Sequence, residues 1–240
     1  QVQRGGHVSA ADKQALTDTL SELEGMLKYH LAREDGVNTT NVNNFVAWKS
    51  NHQPFHWYVD FYPLMATGGF DTIIGNPPYL EFREIDYALR GYGTSDSSAV
   101  HAVCMERSHK LLQPLGAMSM IVPLALVSTQ RMKAVQNILE NGRTVWYSNF
   151  AWRPAKLFDT VNRALTIFVA IPRGSGKVFT TAYKKWTSDT REPLIPTICY
   201  YAISRARSAF WVPKISSSIE GKLLEKMLSH KVTVAQLGVK

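Results

Sequence analysis

Along this chain the period of apolar and polar positions changes several times, and each change predicts an element. Leu16, Leu20, Leu23, Leu27 and Leu31 recur at helical spacing. They predict an amphipathic helix over 9–33, opened by a capping box of Ser9 and Asp12. Such a stripe is expected to pack into a core. Residues 35–56 are rich in Asn and Thr and are expected to be loop. Residues 57–62 and 70–75 read as short strands; in the second, Thr72, Ile73 and Ile74 are β-branched and Gly75 ends the run. Residues 80–97 carry Gly91, Gly93 and several Ser and Thr, and are expected to form a mobile loop behind that strand. A helix from about Ser98 to Gln113 ends at Pro114 and Gly116, and a strand follows at 117–122. A further helix over 129–140 stops at Asn141-Gly142. Strands at 144–150 and 164–171 come next, residues 178–183 are expected to pair back as a hairpin, and Ile219 to Leu228 reads as helix. The repeated strand–helix–strand alternation predicts an α/β sheet.

At 27.0 kDa the chain is long enough for a core of ordinary size. It has no apolar run of transmembrane length and no signal-like start, so no membrane partner is expected. Two cysteines, Cys104 and Cys199, make no disulfide framework, and a reducing cytoplasm is the expected setting. His52 and His56 flank a prolyl loop without a nearby third ligand, which favours a structural role over zinc binding; no metal is expected. Charge is uneven. Residues 1–142 hold 11 Lys and Arg against 14 Asp and Glu, and residues 143–240 hold 16 against 5. A basic half suits a polyanion such as DNA. Arg173-Gly174-Ser175-Gly176-Lys177 superficially suggests a phosphate loop, but Val178-Phe179-Thr180 follows it instead of a helix, so a hairpin turn is the expectation.

The chemistry concentrates at Asn76-Pro77-Pro78-Tyr79, just beyond the strand 70–75. Two prolines fix φ and offer no N–H. The result is a rigid loop at the carboxyl end of a strand, where open α/β sheets bind ligands. Such a loop suits methyl transfer to a planar exocyclic amine, whose lone pair is delocalised into its ring. The Asn76 side-chain oxygen and the Pro77 carbonyl are candidate acceptors for the two amine hydrogens, favouring a pyramidal nitrogen with its lone pair aimed. Tyr79 is placed to stack on a base, which reaches the pocket only if flipped out of the duplex. Pro78 belongs to the same substrate-facing loop.

The stretch Gly68-Gly69-Phe70-Asp71-Thr72-Ile73-Ile74-Gly75-Asn76-Pro77-Pro78-Tyr79 resembles motif IV of the adenine-N6 DNA methyltransferases, most closely the large bacterial restriction–modification and phage-defence enzymes. Met105-Glu106-Arg107 through Pro114 resembles the motif V helix and its exit, Ser119-Met120-Ile121-Val122-Pro123 motif VI, and 157–161 with 165–169 motif VIII. The resemblance implies S-adenosyl-L-methionine as cofactor and a flipped adenine in DNA as substrate. It implies that Asp60, with Phe61 at the spacing of motif III, holds the cofactor's adenine amino group, and that Phe158 contacts the flipped base opposite Tyr79. Two features depart from the family pattern: no Gly-rich motif I is present, and Cys104 stands where an aromatic is frequent.

These readings imply a partial Rossmann-like methyltransferase sheet with flanking helices and a β-hairpin at its C-terminal edge. The expected organisation is a helical and loop lead-in over 1–56, the catalytic part over 57–213, and over 214–240 the start of a linker toward a target-recognition domain. The chain is expected to be a piece of a larger polypeptide that supplies motif I and that domain, and to be inactive by itself. Two other readings stay open: a protein glutamine-N5 methyltransferase, whose substrate is also a planar NH₂, and a non-catalytic DNA-binding remnant.

Overall fold

Ser9 caps the first helix by accepting from the Asp12 N–H, while the Asp12 carboxylate accepts from Ser9, as the sequence predicts. The structure, a computed structural model, describes residues 9–86, 89–172, 176–205 and 210–230. The chain divides into two compact units, one up to Thr67 and one from Gly68 onward.

In the first unit, α1 (Ala10–Glu34) is joined at its C-terminal end to α2 (Val42–His52). The Trp48 indole donates to the Asp35 carboxylate over 2.9 Å. Tyr29, Phe45, Trp48 and His52 form a column of rings with centroids 5.7, 6.0 and 5.5 Å apart. The expected core role of the leucine stripe is corrected: Leu16, Leu20 and Leu23 are exposed and only Leu27 and Leu31 are partly covered. The expected loop over 35–56 is corrected by α2. Its Asn-rich start is a cap, with the Asn41 side chain accepting from the Asn43 and Asn44 N–H groups. The expected strand over 57–62 is replaced by two short helices, α3 (Trp57–Asp60) and α4 (Tyr62–Ala66). The aromatic run favours strand, but the Asp60 carboxylate accepts from the His56 N–H over 3.0 Å, and Pro63 stands in the first turn of α4, where its missing N–H costs nothing.

The second unit is built on a six-stranded sheet of order β1-β2-β4-β3-β5-β6. The strands are β1 (Phe70–Gly75), β2 (Leu112–Pro123), β3 (Thr144–Phe150), β4 (Leu165–Ile171), β5 (Val178–Thr180) and β6 (Tyr201–Ile203). β1, β2, β3 and β5 run one way, and β4 and β6 run against them. An antiparallel pair, β5–β6, closes the C-terminal edge. The expected return of 178–183 onto 164–171 is corrected: β3 lies between β4 and β5, and β5 pairs with β3 in parallel. Most of the turn Arg173–Lys177 lies outside the described residues.

Met118, Met120 and Val122 alternate along β2 and meet α5 (Val100–Leu111), α6 (Ala125–Ser128) and α7 (Lys133–Glu140) in the larger core cluster, with Tyr147 and Phe168. The single helix predicted over 129–140 is broken into a 3₁₀ turn at Gln130–Met132 followed by α7. A second cluster forms around Phe150, Ala151, Trp186 and Leu194, with Leu157 and Ile167 packed against it. Buried polar groups bind the strands to one another. Asn149 donates to the Thr180 hydroxyl and the Thr181 carbonyl, both over 3.1 Å, and accepts from the Thr166 hydroxyl. Helix α8 (Ser218–Leu228) follows, capped by Ser217 and Glu220. Among the described residues no helix is long and apolar enough to cross a membrane.

At the turn into β1, Gly69 has φ +114°, and a Cβ there would overlap the Leu111 carbonyl oxygen. Gly69→Ala is therefore expected to cost about 2 kcal/mol or more, a melting drop of several degrees. Gly25→Ala, in the middle of α1 with open space around it, is expected to gain about 1 kcal/mol. Thermal melting checks both, and unchanged melting of Gly69→Ala would contradict the packing described here.

Candidate active site at the end of β1

β1 delivers Gly75 opposite Met120, so Asn76 leaves the sheet one residue beyond that pair. Asn76 is exposed, and its side chain makes no hydrogen bond among the described residues. The loop behind it is fastened. The Tyr79 hydroxyl donates to the Ile121 carbonyl on β2 over 3.1 Å. Burial raises the Tyr79 phenol above its ordinary value, and the Arg163 charge offsets this in part. The Arg163 guanidinium donates to the Tyr79 carbonyl over 3.2 Å. Next along the chain, the Val100 N–H donates to the Leu80 carbonyl and the Phe82 N–H to the Ser98 carbonyl, each over 2.9 Å.

Glu81 completes the fastening. Its two carboxylate oxygens accept from the two terminal nitrogens of Arg131, each over 2.8 Å, and Arg131 also donates to the Ser97 carbonyl. The hydrogen bond from Arg131 holds the Glu81 carboxyl below its ordinary range. Bidentate geometry makes this a specific contact, although a partly exposed pair contributes only about 1 kcal/mol or less.

The loop 80–97, expected to be mobile, is held at its far end as well. The buried Glu106 carboxylate on α5 accepts from the Gly93 N–H, the Thr94 N–H and the Thr94 hydroxyl, at 3.2, 2.9 and 2.8 Å, and from Lys110 at 2.6 Å. Burial alone would raise this carboxyl, but the four donors outweigh it and hold it at about 2. Tyr87 and Ala88, between the two anchors, lie outside the described residues. On the same helix Cys104 is half-buried, and burial pushes its thiol up.

His101, in the first turn of α5, is 3% exposed, and neither ring nitrogen has a hydrogen-bond partner among the described residues. Burial lowers it to about 4; Glu81 opposes the shift, while Arg131 and Arg163 add to it. A neutral imidazole thus sits behind the fastened loop.

The other sequence-expected residues fall as follows. Phe158 is 39% exposed and outside both core clusters. It opens a turn in which the Val161 N–H donates to its carbonyl over 3.1 Å, and two residues later Arg163 reaches Tyr79. The segment 158–163 and the Asn76–Tyr79 loop are therefore brought together. Pro77 is half-buried and Pro78 exposed. Asp60 and Phe61 belong to the first unit. Asp60 is exposed, with one carboxylate oxygen taken by the His56 N–H. The Phe61 ring stacks on Trp57, centroids 5.7 Å apart. Sequence reading missed Glu81, His101, Arg131 and Arg163. Only Glu81 carried a local hint, two residues beyond Tyr79 in the same loop.

The buried imidazole makes a pH prediction. His101 is neutral when folded, whereas the unfolded chain takes up a proton below about 6.5. Stability contributed by the neutral ring is therefore present at pH 7 and is lost as pH falls from 6.5 to about 4, by about 3 kcal/mol. The Glu106 contribution is lost only lower, between its ordinary range and about 2. His101→Gln is expected to flatten the pH dependence of urea unfolding between pH 6.5 and 4. An unchanged slope in that variant would overturn the assignment.

A family model described as Eco57I restriction-modification methylase matches residues 8–158, well over half of the chain. No curated protein matches. A cryoEM structure of a DrdV–DNA complex is similar with a TM-score of 0.50 at 10% identity, covering 64% of this chain and 19% of that one. A nuclease-deletion mutant of the Type ISP restriction-modification enzyme LlaGI, in complex with a DNA substrate mimic, gives 0.48 at 12% identity over 64% and 19%. The type I restriction-modification methyltransferase subunit from Streptococcus thermophilus gives 0.38 at 14% over 59% and 34%. The likeness to the DrdV structure is one of fold, and the chain spans about a fifth of the length of the two DNA-bound proteins. On the match over 8–158, the chain belongs to the Eco57I restriction-modification methylase family.

Proposed function

We propose that this chain forms part of the catalytic domain of an enzyme that transfers a methyl group from S-adenosyl-L-methionine to N6 of adenine in DNA. The observation that carries the reading is Asn76: an exposed, unengaged amide at the carboxyl end of β1, followed by a loop held through Tyr79, Leu80, Glu81 and Phe82. Preorganised dipoles of this kind stabilise charge that develops in a transition state without reorganisation. The Asn76 side-chain oxygen and the Pro77 carbonyl would accept from the two N6 hydrogens and direct the lone pair. Tyr79 and Phe158 would stack on the two faces of the flipped base, with Pro78 beside it; each such contact is worth roughly 1–3 kcal/mol.

When bound, S-adenosyl-L-methionine supplies an electrophilic methyl on a sulfonium. The amine nitrogen held by Asn76 and Pro77 would take that methyl as its bond to sulfur breaks, and one amine proton would leave to water. Asp60 fits the cofactor's adenine amine chemically, because its second carboxylate oxygen has no partner among the described residues and is free to accept. Phe61, beside Trp57 and Phe55, offers an aromatic surface for the same ring. The family match and the DNA-bound state of the similar DrdV structure support DNA as the substrate class.

The test is methyl incorporation into duplex DNA from labelled S-adenosyl-L-methionine, measured on the natural full-length protein. Asn76→Ala should lower it on the order of 100-fold or more while duplex affinity stays within about twofold, since the amide contributes little to the phosphate contacts that dominate affinity. Near-normal turnover in this variant would remove Asn76 from the mechanism.

A further inference from the structure

We infer that an open cavity lined by Trp152, Arg153, Pro154, Lys156, Asn162 and Lys185, about 760 Å³ in volume, is a built docking site for the phosphodiester backbone of duplex DNA, beside the catalytic loop. The inference rests on DNA being the substrate of the Asn76 site and adds where the duplex is gripped.

Three observations converge. The lining holds three cations and no carboxylate, and no ion pair joins Arg153, Lys156 or Lys185 to an acid among the described residues. Two of the cations are also pre-positioned. The Arg153 guanidinium lies over the Trp152 ring, 4.2 Å from its centroid, and the Lys156 ammonium donates to the Asp159 carbonyl over 3.1 Å and to the Asn162 side chain over 2.6 Å. The wall beneath is rigid. The Ala151 N–H donates to the Lys184 carbonyl over 2.8 Å and the Ala155 N–H to the Trp186 carbonyl over 3.1 Å, and Trp186 meets Phe150 edge-on in the second core cluster. A solvated surface of scattered lysines needs neither the concavity nor this anchoring.

Placement decides the ligand. The strand ends at Gly75, Pro123 and Phe150 lie on one side of the sheet, because β1, β2 and β3 run the same way. The cavity follows β3, three strand positions from β1, which is about 14 Å across the sheet. Phosphates of one strand recur roughly every 3.4 Å along a duplex axis. For a duplex whose axis runs across the strand ends, a base held at Asn76 would place the backbone about four base pairs away at Arg153 and Lys185. A planar guanidinium and two ammonium groups match phosphate oxygens in charge and in donor geometry.

The test uses this 240-residue chain and a fluorescently labelled 30-base-pair duplex, with anisotropy read from 50 to 200 mM NaCl. The double variant Arg153→Ala/Lys185→Ala should lower the slope of log affinity against log salt by about 2, so that the fourfold rise in salt costs it roughly tenfold less affinity than it costs the wild type. Lys222→Ala/Lys226→Ala, on the exposed face of α8, should keep the wild-type slope, and circular dichroism should match for all three proteins. If the wild type binds with a steep slope and the Arg153/Lys185 variant matches it, the docking site is overturned and the DNA reading stands. Equal losses in both double variants would show diffuse charge and overturn the site in the same way. If the wild-type chain binds no duplex, the docking inference fails, and the DNA reading is then judged separately by the Asn76→Ala methylation assay.

Discussion

The parallel pairing of β1 with β2 decides where the Asn76–Tyr79 loop sits. Thr72 to Gly75 run in register with Ala117 to Met120, and the two strands approach so closely at their start that Gly69 and Gly116 have no room for a Cβ. That closeness sets the height at which Asn76 leaves the sheet, and it brings the Ile121 carbonyl under the Tyr79 hydroxyl. From Tyr79 on, the chain is then fastened outward from this point: Tyr79 to β2 and to Arg163, Glu81 to Arg131, Leu80 and Phe82 to the residues that open α5. The exposed amide of Asn76 is left facing solvent, three residues before the first of these contacts at Tyr79.

Much of this was legible in the residues. The β-branched run ending in Gly75 and the two prolines announced a strand and a rigid loop, and the Ser9–Asp12 capping box announced α1. What was not legible was non-local or competed with a stronger local signal. The contacts that hold the loop join residues 42, 50 and 84 positions apart, from Tyr79 to Ile121, Glu81 to Arg131 and Tyr79 to Arg163, and no window along the chain reveals them. α2 was hidden because Asn41 and its neighbours read as loop, when Asn41 is the cap. α3 and α4 were hidden by an aromatic run that suits a strand. The position of β3 between β4 and β5 was missed because neighbours in sequence were expected to be neighbours in the sheet.

The excess of Lys and Arg in residues 143–240 does not translate directly into free surface charge. Part of the basic second half is spent inside the fold. Arg143 donates to the Gly116 carbonyl, and Arg205 reaches Glu140, Gln136 and the Trp211 carbonyl, in a network that also satisfies the buried Tyr147 hydroxyl. Around β3, on the sheet end that carries Asn76, Arg153, Lys156 and Lys185 line one cavity, and none of them is ion-paired to an acid among the described residues. The Asn76 loop and these cations therefore share one end of the sheet, an arrangement that suits the proposed substrate, a planar amine within a polyanion.

That pairing of chemistry and charge makes the identity of the methylated amine the central claim. It is tested most directly by nucleoside mass spectrometry of DNA from cells that produce the natural full-length protein, beside the same cells without it. The account predicts N6-methyladenine that appears only with the protein. N4-methylcytosine in its place, or unmethylated DNA together with a methylated glutamine in a cellular protein, would contradict it.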